Sequence, residues 1–95
     1  PTAVILQLDA PWPNPFPAGT RVRFALPEAG PVSLQIFGID GRLVRTLVRD
    51  TRPAGEHEVV WDGRNGSGRS TAPGVYFCRL KAGSHELSQR MVVAP

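Results

Sequence analysis

"APWPNPFPAGTRVRF", residues 10–24, sets prolines at 11, 13, 15 and 17 directly ahead of an alternating run. Such a stretch can be the tail of a linker, a proline-rich ligand or the threshold of a folded domain. Proline lacks a backbone donor, so it is tolerated at strand ends and edges but not inside a central ladder. A PxxP ligand has to remain extended and exposed. Here the prolines alternate with Trp12, Asn14 and Phe16, and large aromatics would be wasted on a solvated tether. The segment reads as a rigid crossing between two strands that pins Trp12 and Phe16 against a sandwich.

Outward from it, the chain repeats one theme. "AVILQLD" (3–9) reads as a first strand. "TRVRFAL" (20–26) alternates, with Val22, Phe24 and Leu26 on one face and Arg21 and Arg23 on the other. "PEAG" (27–30) is turn chemistry. "PVSLQIF" (31–37) alternates again, and Asp40-Gly41 predicts a two-residue hairpin loop. In "RLVRTLVRD" (42–50), Leu43, Val44, Leu47 and Val48 would also suit a short helix; the preceding hairpin favours a bulged strand. "EVVWD" (58–62), "VYFCRLKA" (75–82) and "ELSQRMVV" (86–93) complete the set, joined by "GRNGSGRSTAPG" (63–74) and "GSH" (83–85). About seven short strands with no long helical pattern predict an all-β fold, an immunoglobulin-like antiparallel β-sandwich forming a single domain over residues 1–95. Tyr76 stands two residues before Cys78, the spacing of a tyrosine corner.

Composition agrees. Ninety-five residues with 41% hydrophobic content suffice for one core. Ten of the eleven basic residues are arginine and the net charge is +3. The arginines are scattered among acids, without the aromatic-interleaved basic stripe that nucleic acid requires. The charge is compatible with weak attraction to anionic surfaces. Cys78 is the one cysteine, which excludes an internal disulfide and reads as a small buried hydrophobe. No apolar run approaches a membrane span of about 18 residues.

Catalytic patterns are missing from the sequence. His57 and His85 lie far apart and read as exposed edge residues; there is no nucleophile elbow and no phosphate loop. In "WDGRNGSG" (61–68), Asp62, Asn65 and Ser67 form a weak calcium candidate. Hard-cation loops carry several carboxylates, and the structural alternative is that Asp62 and Asn65 cap backbone N–H groups in a turn. Trp61 ends an inward-pointing run and reads as core. Exposure of either tryptophan would make stacking on a sugar ring credible. No cofactor and no enzymatic activity are expected.

Taken in order, "PNPF" (13–16), "TRVRFALPEAG" (20–30), "VSLQIFGIDGRLVRTLV" (32–48), "PAGEHEVVWDGRNGSGR" (53–69), "PGVYFCRL" (73–80) and "RMVV" (90–93) resemble the FlgD Ig-like domains and the related C-terminal sorting domains of type IX (Por) secretion. The residues that match are Pro13, Asn14, Pro15, Phe16, Gly41, Arg42, Val44, Trp61, Asp62, Gly63, Gly74, Val75 and Tyr76. Gly38 departs from the Asp or Asn common at its place. Arg90 stands where sorting domains frequently carry lysine.

The resemblance implies a non-catalytic C-terminal module of a larger exported protein, found extracellularly or at the cell surface after passage through the periplasm. Its partners would be the upstream domains of that protein and outer-membrane secretion machinery. The alternatives are a structural module joined to neighbouring subunits of a filament, hook cap or stalk, and an accessory carbohydrate-binding module of a secreted enzyme. Arg42 is expected either to be read by a translocon or to clamp the hairpin through loop carbonyl or carboxylate groups. The ending shortly after "RMVV" is expected to be a natural C-terminus, with any export signal upstream.

Overall fold

A computed structural model describes residues 5–95. The first strand expected over residues 3–9 therefore lies partly outside the described residues; within them its paired part, β1, is Gln7–Leu8. The chain continues through β2 (Thr20–Leu26), β3 (Gly30–Gly38), β4 (Leu43–Arg52), β5 (Gly55–Trp61), β6 (Gly74–Ala82) and β7 (His85–Val93). The strands form a three-stranded sheet, β1-β2-β5, and a four-stranded sheet, β4-β3-β6-β7, with every strand pair antiparallel. This is the immunoglobulin-like sandwich that the alternating runs predict.

Period-two burial drives it. Val22, Phe24 and Leu26 from one sheet meet Val32, Leu34, Ile36, Val48, Cys78, Leu80, Met91 and Val93 from the other, all buried. Each such side chain removed from water contributes on the order of 1.5–3 kcal/mol. Trp61 is wholly buried, as its place at the end of an inward run requires.

The helix-like spacing in β4 has a strand explanation. Pairing with β3 slips between Leu34 and Gln35 and again between Ile36 and Phe37, so Leu47 and Val44 become extra residues without a partner opposite. Both pack partly buried against the core. Two bulges thus turn apolar residues inward at an irregular spacing that imitates a helical face.

The hairpin between β3 and β4 differs from the expected two-residue loop. The Gly41 N–H donates to the Gly38 carbonyl at 3.0 Å and the Gly38 N–H to the Arg42 carbonyl at 2.9 Å. Ile39, Asp40 and Gly41 therefore form a three-residue loop, with Gly41 at φ 82° supplying the left-handed residue that closes it.

The proline segment is a crossing, but it pins only one aromatic. Phe16 is wholly buried, whereas Trp12 is 71% exposed. Trp12 pairs with Arg21 beside β2, and four residues later Phe16 forms a parallel bridge with Val93 of the other sheet. The chain thus changes sheets between them. The Trp12–Pro13 and Asn14–Pro15 peptides are cis.

Candidate functional site

Phe16, Trp61 and Tyr76 of the motifs converge on one end of the sandwich, and what they build is a packing centre. Phe16 and Tyr76 both meet the Trp61 ring edge-on, at centroid distances of 5.6 and 5.8 Å. Edge-to-face pairs of this kind add about 0.5–1.5 kcal/mol beyond area burial. The "PNPF", "WDG" and "PGVY" motifs are thereby joined by three rings. The Tyr76 hydroxyl donates to the Ala72 carbonyl at 2.6 Å, the backward bond of a tyrosine corner. Gly74, with φ 149°, opens β6 immediately before it.

Around the rings the polar groups satisfy backbone. The Pro13 carbonyl accepts from the Thr20 hydroxyl at 2.7 Å, and the Asn14 side-chain oxygen accepts from the Val92 N–H at 2.8 Å. Pro15 is exposed between them. Phe16 donates its N–H to the Val92 carbonyl, and its own carbonyl accepts from Ala94. The Gly63 carbonyl, at a residue with φ 77°, accepts from both the N–H and the hydroxyl of Thr71.

The stretch 63–74, whose glycines and serines suggest a flexible connection, is bonded internally and to β4. Asn65 Oδ1 accepts from the Ser67 N–H, the Ser67 hydroxyl and the Arg69 N–H at 2.8–3.0 Å. Asp62 Oδ1 accepts from the Arg64 N–H at 3.0 Å and from Arg45 Nη1 at 3.2 Å. Of the calcium candidate's oxygens, those of Asp62 and Asn65 accept from backbone donors of the loop while the Ser67 hydroxyl donates to Asn65. Among the described residues no cluster of three His, Cys, Asp or Glu has metal-binding spacing.

Arg45 is the guanidinium that sequence reasoning missed. It stands opposite Ile36 on bulged β4 and also donates to the Arg64 carbonyl at 3.1 Å, which accepts the Trp61 indole N–H at 2.9 Å as well. One side chain from the four-stranded sheet thus holds the loop that follows β5 of the other. Arg42, expected either to be read by a translocon or to clamp the β3–β4 hairpin, is 85% exposed and lies 3.8 Å from the hairpin carboxylate of Asp40. Arg42 sits on the rim of an open cleft of about 780 Å³ between β4 and the 65–72 loop. Arg90 is exposed on β7 opposite Phe77, away from the three rings.

Of the two histidines, His85 is exposed as expected. His57 is half-buried and stacks on Phe24 at 5.1 Å, because its position in β5 lies directly opposite that inward-facing ring. Cys78 is fully buried, and desolvation pushes its thiol up to about 12.

The model of the FlgD Ig-like domain matches residues 16–86. The chain belongs to the FlgD Ig-like domain family. This match runs from Phe16 through the loop and Tyr76, the residues that form the packing centre. No curated protein sequence matches the chain. Among solved structures, PorZ of Porphyromonas gingivalis, described as an essential bacterial surface component of the type IX secretion system, aligns with a TM-score of 0.60 at 25% identity. The alignment covers 95% of this chain and 11% of PorZ, so this FlgD Ig-like domain corresponds to a small part of that protein. FlgD Ig-like domains are typically non-catalytic.

Proposed function

We propose that this domain is a non-catalytic sorting or anchoring module of an exported bacterial protein, working at the cell surface and recognised by machinery of the type IX kind. The observation that carries this reading is the PorZ alignment over nearly the whole domain. In this reading the motif residues hold the fold and recognition uses the outer surfaces.

The sheet edges favour one element for that contact. The β7 edge is covered at its C-terminal end, where Phe16 bonds Val92 and Ala94, and is tied midway by the Gln89 side chain to the Leu8 carbonyl. The β4 edge is broken by two bulges and capped where the Gly66 N–H meets the Val44 carbonyl. β1 has two residues. β5 keeps seven residues at the margin of its sheet; its charges are at Glu56 and Glu58, and its Val59–Trp61 end carries none, so that end is where a partner strand can add.

The test is to delete residues 10–95 from the parent protein in its native host and fractionate cells and medium. Accumulation of a folded, truncated parent in the periplasm is the expected result. Undiminished arrival at the surface or in the medium would sink the reading and turn attention to assembly with neighbouring subunits.

A further inference from the structure

The exposed Trp12 is held with unusual firmness for a surface aromatic. Its N–H donates to the Arg21 carbonyl at 3.0 Å and its carbonyl accepts from the Arg21 N–H at 2.9 Å, so the indole is carried by a ladder rung and not by a loop tip. Among the described residues no cation lies over its ring; the cation–aromatic contact found is between Arg79 and Phe37, on the other sheet. An exposed ring on a backbone already fixed by the fold offers a binding surface for which little further backbone ordering is needed.

Beside it lies a cleft of about 340 Å³ lined by Asp9, Arg21, Arg23 and Glu58 together with Trp12, at the lower end of the ~300–1,000 Å³ usual for small-ligand sites. Arg23 Nε and Glu58 Oε1 are 2.9 Å apart, which orients the two groups toward each other, and Glu58 raises the Arg23 pKa further through that bond. Two guanidinium groups face two carboxylates, so the lining is electrically balanced while rich in donors and acceptors. Balance of this kind selects against a strongly charged ligand. A flat apolar ring next to polar forks suits a pyranose, whose C–H face stacks and whose hydroxyls both donate and accept.

The geometry points to a binding site for a neutral oligosaccharide on the outer face of the three-stranded sheet, with Trp12 as the stacking platform and Asp9, Arg21, Arg23 and Glu58 as the hydroxyl partners. The site is separate from the packing centre and independent of the export reading.

Trp61 is fully buried, so fluorescence quenching by acrylamide reports mainly on Trp12. Cellohexaose, xylohexaose, mannohexaose and maltohexaose would each be titrated into the whole chain, with the indole N–H signals followed by NMR. The expected result is that at least one sugar, at millimolar concentration, shields Trp12 from acrylamide and shifts its indole signal while Trp61 stays still. Trp12→Ala should weaken that binding, followed in the variant by backbone amide signals, by at least about tenfold and Glu58→Gln should weaken it measurably, both with an unchanged urea midpoint and an unshifted Trp61 indole signal. No response to any of the four sugars, an unaltered affinity in Trp12→Ala, or shifts confined to the other sheet would each overturn the assignment.

Discussion

Burial of the Cys78 thiol, which pushes its pKa up to about 12 from 9.0, makes stability depend on alkaline pH in a definite direction. Below pH 9 the thiol is protonated in both states and its contribution is intact. Between pH 9 and about 12 the unfolded chain has lost the proton that the folded chain keeps, so stability falls as pH rises. Urea unfolding at pH 8 and pH 10.5 should differ by about 2 kcal/mol through this residue, and Cys78→Ala should flatten that part of the dependence. Tyr76→Phe removes the bond to Ala72 and should cost about 1 kcal/mol in the same assay. That Cys78 and Trp61 are core was readable from their places in inward runs. The exposure of Trp12 was not, because Trp12, Asn14 and Phe16 share one alternation in sequence and only the change of sheet between them separates their fates. Which arginine holds the loop was equally hidden: Arg45 lies between two slips of register in β4 that set where it points, and nothing local marks where a strand will slip.

At the scale of elements, the 62–74 loop and the β5 edge carry opposite expectations. The loop is internally bonded through Asn65, so Asn65→Ala should destabilise the domain by about 1–2 kcal/mol, read as a lower urea midpoint. Its glycines and serines suggest flexibility in sequence because the compensating acceptors come from single side chains and from distant Val44. Val60, 62% exposed on β5, is expected to behave the other way. Val60→Lys places a charge on the edge strand, a device that blocks strand addition. Stability should stay within about 0.5 kcal/mol of wild type, while surface delivery of the parent falls several-fold in cell fractionation. Unchanged delivery would remove β5 as the recognised edge.

For the whole molecule, alternation alone was sufficient to predict a two-sheet sandwich, since each run of period two has one face that must be covered. What covers what was settled by the crossing segment, whose role in sealing both sheets depends on Phe16 reaching the Trp61 ring. A chain starting at Gly19 would lack Leu8 and Phe16 together, and loss of one buried Phe already costs about 3–5 kcal/mol. Such a truncation should show no cooperative urea transition, and Phe16→Ala should retain one at a markedly lower midpoint. The functional surface was less legible than the fold because exposed side chains answer to a partner and leave no periodic trace.

The parallel bridge between Phe16 and Val93 bears on how the domain responds to mechanical load. Strands running side by side in one direction, when pulled toward opposite ends, slide against each other instead of peeling apart. The bonds from Phe16 to Val92, from Ala94 to Phe16 and from Val92 to Asn14 would then be stretched together, not one after another. A tug entering from the C-terminal side would meet this lock first, and one entering from the N-terminal side would reach it after the short β1 pairing and the Trp12–Arg21 rung, giving the domain the character of a tension-bearing fastener.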